Sequence, residues 1–188
     1  MQIDHKNEKM NILKNASGLM LLLMIASQNL MGQGKPAIEG FGQTFEVENP
    51  GFETNKEMVY KVVFDIHGKP DDPSKVNPYI NTLARFINMH TKAGVPLENL
   101  KVVGVFHNKA SVEVLDNAAY KEKFGVDNPN IPLIKALREA GADLYMCGQS
   151  MAARNVPKEK MVPEVETALS AMTVFLNLQA EGYQLIRF

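Results

Sequence analysis

Three side chains capable of reactive chemistry recur at one interval. His67, His107 and Cys147 stand 40 residues apart, in the stretches "FDIHG", "VFHNK" and "YMCGQ". Cys147 is the only cysteine in 188 residues, so no intrachain disulfide can form. A thiol beside a histidine can act as a nucleophile whose proton the imidazole takes. Gly148, directly after Cys147, lets the backbone turn tightly and come close to a substrate. A short helix is expected behind it. Free N–H groups at a helix start favour a thiolate, and Arg154, seven residues on, adds positive field. The competing reading is a packing cysteine at a strand end, because free cysteine is among the most buried residue types. Against His107 as the thiol's base stands a histidine that only orders a loop. Asp65 reads as a loop-ordering carboxylate, and His90 as a solvent-facing helix residue. His67, His107 and Cys147 could together hold zinc, but three separate loops without local pair spacing are a weak pattern. No metal site and no cofactor are expected. No G-x-S-x-G occurs, so a serine triad has no support.

The 40-residue interval fits one strand and one helix per repeat. "MVYKVVFDI" (58–66), "LKVVGVFH" (100–107) and "ADLYMC" (142–147) are nearly continuous apolar runs, as strands buried on both faces are. Asn77 and Pro78 open a helix reaching about Lys92, with Ile80, Leu83, Ala84 and Ile87 at helical spacing. Asn130 is expected to cap a second helix that Gly141 ends. Residues 109–124 read as helix, although "SVEVL" alternates like a strand. Residues 163–182 read as one long helix, apolar on two sides: Val165, Leu169, Met172 and Leu176, then Ala168, Ala171, Phe175 and Leu178. "YQLIRF" is the last strand. Strands alternating with helices predict an α/β fold: a mostly parallel sheet of four to five strands with helices on both faces, layered as in flavodoxin-like folds. Such sheets bind ligands beyond the carboxyl ends of their strands. A parallel sheet would bring His67, His107 and Cys147 to that one edge.

The N-terminal stretch has another character. Gly18–Ala26 is an apolar run of nine residues after Lys14, with Ser27, Gly32 and Gly34 following. That is the layout of a secretory signal peptide (1–32), with Met10 read as the true start. A run this short is no membrane anchor, since a span needs roughly 20 apolar residues, and no cysteine lies near it to take a lipid. The mature protein is expected in the periplasm or secreted. Residues 33–57 read as an arm or linker, with a short edge strand at Thr44–Val47, and 58–188 as the α/β domain. A net charge of -1 and a pI of about 6.4 make nucleic acid a poor partner. The methionines outside the leader are scattered, which suits core packing better than copper binding.

"VVFDIHG", "NPYINTLARFINMH", "KVVGVFHNKA", "NPNIPLIKALREAGADLYMCGQS" and "SAMTVFLNLQAEGYQLI" resemble the DsrE/DsrF-like family, in particular its exported bacterial members. The most specific pieces are "CGQS" and "LQAEGY". The resemblance implies a parallel core sheet, homotrimers or hexamers, and a role in sulfur transfer. Related sulfur-relay proteins carry a persulfide on a cysteine at a strand end, followed by a small-residue helix and Arg-x-Val. In this chain that pattern is Cys147, "GQSMAA", Arg154, Asn155 and Val156. The implied function is sulfur carriage on Cys147, at most a sulfurtransferase-like activity. The motif assigns His107 no catalytic role, and its tuning of the thiol's protonation is an expectation from the residues alone. Gly148, Gln149, Ser150, Arg154, Asn108 and His67 would support sulfur carriage, and a thiol-bearing donor or acceptor would be the partner. The alternative is a non-catalytic oligomeric module that binds a small molecule or a protein, with Cys147 structural. Two departures stand out. The relay proteins are cytoplasmic, whereas this chain reads as exported. The turn after the second strand is "HNKA" instead of a glycine-containing "HG" turn, which requires Asn108 to take the left-handed backbone state.

Overall fold

The computed structural model describes residues 35–188, so the expected signal peptide lies outside the described residues. The first strand, β1 (Tyr60–Ile66), is buried from Val62 to its end. It pairs in parallel with β2 (Leu100–Phe106), and β2 with β3 (Asp143–Cys147). A short β4 (Glu166–Ala168) lies beside β3, and β5 (Gln184–Ile186) lies on the far side of β1. The order is β4-β3-β2-β1-β5, all parallel, as the alternation of elements predicted.

Crossover handedness then fixes the layers. The chain steps outward from β1 to β4 and returns to β5. Right-handed connections therefore put the helices of the outward run on one face and the returning helix on the other. α1 (Pro78–Lys92) and α3 (Ile131–Glu139) pack Ile80, Leu83, Ile87, Leu133, Ile134 and Leu137 on Phe64, Ile66, Phe106, Leu144 and Met146. Gly104 permits the close approach of α1. A Cβ there would stand 2.9 Å from Leu83 Cδ2 and 3.0 Å from Leu144 Cδ2. α2 (Asn117–Phe124) and α4 (Gly148–Arg154) complete the outward run. The opposite face carries α5 (Ala171–Ala180), whose Ala171, Val174, Phe175 and Leu178 meet Val63, Val103, Val105 and Cys147. Among the described residues no helix is long and apolar enough to cross a membrane.

Five sequence expectations change, the last of them at Asn130. The long helix over 163–182 is a strand followed by a helix. Glu166–Ala168 pairs with Tyr145–Cys147 at the sheet edge, and Ser170 caps α5 by accepting from Thr173 N at 3.0 Å. A three-residue strand is too short to show a period of two against the surrounding helical pattern. The helix over 109–124 divides into a 3-10 turn (Asn108–Val112) and α2, which Asp116 restarts by accepting from Ala119 N at 2.7 Å. Thr44–Val47 forms no strand. Instead the preceding segment is pinned by Asn88 of α1, which accepts from Ile38 N and donates to the carbonyls of Ile38 and Phe41. His90 is half-buried, its ring 4.0 Å from that of Phe86 and 4.7 Å from that of Tyr60.

Asn130 stands at the start of α3 but does not cap it with its side chain. It accepts from Asn77 N at 2.7 Å and donates to Glu113 Oε2 at 2.9 Å. Asn77 in turn caps α1 and donates to Glu113 at 3.3 Å, while Asn128 donates to the Glu113 and Leu115 carbonyls. A buried carboxylate, 1% exposed, thus ties together the loops after β1 and β2 and the entry to α3. Burial raises the Glu113 carboxyl above its ordinary value, opposed by the two asparagine donors and by the charge of Lys69. The folded state therefore holds this proton to higher pH than the unfolded chain. The stability tied to it is full below the unfolded value and is lost as pH rises through the folded value. Glu113→Gln keeps an acceptor and removes the charge. It should match or exceed wild-type melting temperature at pH 7 and flatten this part of the pH dependence. Glu113→Ala leaves the Asn77 and Asn130 amides each one acceptor short, with Gly68 O and Asn128 Oδ1 as their remaining partners, and should lose about 2–4 kcal/mol in denaturant titration.

Candidate functional site

Strand register and side-chain parity bring the site together. Asp65 pairs with Val105, and Phe106 with Met146. One residue further on, His107 comes abreast of Cys147 on strands about 4.8 Å apart. His107 N donates to Ile66 O at 3.0 Å, which carries the ladder past the end of β2 and fixes the histidine backbone. Alternation then turns Asp65, Val105, His107 and Cys147 toward the same face, that of α5. The His107 ring stands edge-on to Phe175 of α5, with centroids 6.2 Å apart.

Asp65 is the acceptor at the centre of this row. It is 8% exposed, and a carboxylate so enclosed needs partners. His107 Nε2 lies 2.6 Å from Oδ1, and Arg187 Nε lies 3.3 Å from Oδ2. A carboxylate only accepts, so His107 Nε2 donates, and its Nδ1 is the nitrogen free to exchange a proton. His67 Nδ1 stands 3.4 Å from the same Oδ1, outside hydrogen-bond geometry, and is a buried nitrogen with no partner.

Cys147 ends β3 and opens α4. It is 5% exposed. Burial pushes its thiol up. The Ser150 hydroxyl, followed by the backbone N–H groups of Ser150, Ala171 and Gln149, outweighs that cost, and the thiol lies below its ordinary value. The Ala171 N–H comes from the opposite layer, at the start of α5, so the cradle is built by two helices. Gly148 makes the closure sterically feasible. A Cβ there would lie 2.8 Å from the Ala168 carbonyl oxygen and 3.3 Å from that of Leu169.

Two hydrogen bonds join this cradle to the loop after β2. Asn108 N donates to Ser150 Oγ at 3.1 Å, and the Arg154 guanidinium donates to Asn108 Oδ1. Asn108 has φ 51, the left-handed state that the missing glycine demanded.

The structure places Cys147, Gly148, Ser150, Asn108, Arg154 and His107 at one edge of the sheet. Gln149 contributes its backbone N–H, while its side chain is exposed. His67 follows β1, two strands away, and reaches Asp65 instead of the thiol. Asp65 and Ala171 are what sequence reasoning missed. Asp65 had a visible signal: it is the one charged residue after Val62 in a strand buried to its end, so it needed a partner on the sheet face. Ala171 had none, because only the β4–α5 connection aims its N–H at sulfur. Among the described residues no group of three or more His, Cys, Asp or Glu is arranged to hold a metal ion.

The sequence pattern of the DsrE/DsrF-like family matches residues 61–188. The chain belongs to this family. No curated protein matches it. Among solved structures, a protein of unknown function from Methanobacterium thermoautotrophicum, MTH1491, aligns with TM-score 0.51 at 22% identity, over 69% of this chain and 99% of that one. The ychN protein from E. coli aligns with TM-score 0.49 at 14% identity, over 69% and 99%. At such identities the first of these shows the shared fold of the DsrE/DsrF-like domain and nothing about its activity.

The cradle makes a direct prediction for this DsrE/DsrF-like protein. Ser150→Ala removes the strongest donor to the thiolate, so the pH profile of Cys147 alkylation should move to higher pH and labelling at pH 7 should slow. An unchanged profile would show that Ser150 does not hold the thiolate. Gly148→Ala should cost about 1–3 kcal/mol of stability, read by denaturant titration, because the Ala168 carbonyl must retreat.

Proposed function

We propose that this DsrE/DsrF-like protein is a sulfur carrier that holds sulfane sulfur as a persulfide on Cys147. The observation that supports this most is the cradle itself: a nearly buried thiol whose ionised form four donors stabilise, at the strand end where α/β sheets bind ligands. In the loading step the Cys147 thiolate attacks the outer sulfur of a donor persulfide, R–S–SH. The Cys147 S–S bond forms, the donor S–S bond breaks, and its electron pair leaves with R–S⁻. The donor is reduced to a thiol and Cys147 is oxidised to a persulfide, so no further redox partner is needed. In the discharge step an acceptor thiolate attacks the same outer sulfur, and Cys147 leaves as thiolate. His107, oriented by Asp65, takes the Cys147 proton before loading through Nδ1 and returns a proton to whichever thiolate leaves.

Two further parts of this reading concern setting. The leader-like run before residue 33 supports export, which places donor and acceptor outside the cytoplasm. Met172 and Leu176 on the outer side of α5, with Leu169 just before its cap, make an apolar row, each about 70% exposed. That row supports a homotrimer or hexamer in which a second copy covers it. The low exposure of Cys147 favours one rival, a binding module with a structural cysteine. That rival predicts slow thiol labelling in the folded protein and fast labelling after unfolding.

Treatment with polysulfide should add multiples of about 32 Da to wild type, removable by reductant, and nothing to Cys147→Ser. An accessible Cys147 that gains no mass would sink the carrier reading. Asp65→Asn and His107→Gln should slow loading at pH 7 by about 10-fold or more while leaving the loaded mass the same. Met172→Glu with Leu176→Glu should lower the mass seen by light scattering to that of a monomer.

A further inference from the structure

A second feature stands beside the thiol cradle, built from residues that the steps above do not use. A cleft of about 390 Å³ is lined by Lys69, Lys109, Lys123, Arg154, Phe124 and Asn155, together with two small apolar residues. Four of its lining groups are cations and none is an acid. None of the four has a carboxylate within ion-pair distance among the described residues. The nearby carboxylates of Glu122 and Asp127 pair with Lys160 and Lys121 instead, and of the four only Lys69 acts at longer range on a carboxyl, that of the buried Glu113. Lys69 and Lys123 both lie over the Phe124 ring, 5.9 Å from its centroid, which holds their charges near the cleft.

The location matters as much as the charge. Lys69 follows β1, Lys109 follows β2 and Arg154 ends the helix after β3, so the cleft belongs to the carboxyl edge of the sheet. It is also wired to the thiol. Arg154 donates to Asn108, and Asn108 N donates to the Ser150 hydroxyl that faces Cys147. Four like charges focused by a concave wall raise the local concentration of anions.

We propose that this cleft is an anion seat that receives the carrier part of the sulfur donor, a small thiol bearing two or more carboxylate or oxyanion groups. This rests on the carrier reading for its chemistry but not for its binding. The donor's charged end docks among Lys69, Lys109, Lys123 and Arg154, its persulfide is presented toward Cys147, and the released thiolate leaves from the same seat.

Two persulfides of different charge test it, each loading rate divided by the same donor's rate with a small uncharged reference thiol to remove intrinsic reactivity: that of mercaptosuccinate, a dicarboxylate, and that of mercaptoethanol, which is uncharged. The dicarboxylate should load Cys147 at least roughly 10-fold faster in low salt, and the preference should shrink as salt is added. Lys109→Glu with Lys123→Glu should abolish the preference while loading by the uncharged persulfide stays within about 2-fold, since neither lysine touches the thiol cradle. A preference that survives this double charge reversal overturns the proposal, as does equal loading by both donors in wild type. Binding is read separately by calorimetry on Cys147→Ser with S-methylmercaptosuccinate, which cannot transfer sulfur, and with inorganic phosphate. Saturable binding of the dicarboxylate that the double reversal removes supports the seat. Tighter binding of phosphate, or no binding of either, overturns the thiol-carboxylate assignment. If neither persulfide loads wild type, the carrier reading fails, and this calorimetric result still decides the seat on its own.

Discussion

The register of the three central strands is the constraint on which the rest depends. Parallel pairing sets Asp65 beside Val105 and Phe106 beside Met146, which places His107 abreast of Cys147. Side chains alternate across a strand, so these three polar groups face one layer while Val62, Phe64, Ile66, Phe106 and Met146 face the other. A slip of one residue would drive Asp65 into the apolar layer under α1 and carry Cys147 away from α5. The hydrophobic pattern therefore holds the polar site in place, because the burial energy of the whole core opposes any register that would misplace it.

Within that frame the site shows two ways of stabilising buried polarity. Asp65 is matched by cation-capable partners from two places, His107 and, from the end of the chain, Arg187, while His67 Nδ1 stands 3.4 Å away without a hydrogen bond. Cys147 is matched by dipoles alone, through one hydroxyl and three backbone N–H groups. Dipoles from a rigid backbone need little reorganisation when charge appears. That suits a sulfur atom held as thiolate, the form that the proposed loading step requires. The cost is steric, and Gly148 meets it by leaving room for the Ala168 carbonyl.

The two layers are unequal in a way that bears on assembly. The face under α1 and α3 holds most of the core, while the opposite face is covered by one ten-residue helix. α5 is apolar on both sides because one row, Ala171, Phe175 and Leu178, meets the sheet. The other row, Leu169, Met172 and Leu176, stands about 70% exposed among the described residues. Since α5 also supplies the Ala171 N–H to Cys147, whatever settles on its outer row bears directly on the thiol.

Sequence alone determined the alternating fold, the three central strands, α1 and its Asn77 cap, and the shared edge of His107 and Cys147. Continuous apolar runs and helix caps are local signals, and parallel pairing follows from the alternation of elements. The left-handed backbone at Asn108 was legible for the same reason, because a single turn demanded it. Tertiary structure alone decided the rest. Glu166–Ala168 became a strand because an edge of β3 was free to pair. Asn130 gave up its cap because the Asn77 N–H took its side-chain oxygen, while its amide went to the buried Glu113. Asp65 became the acceptor for His107, and the Ala171 N–H reached Cys147 from the other layer. Each of these joins residues distant in the chain, and no local propensity records which donor will face which acceptor once the layers close.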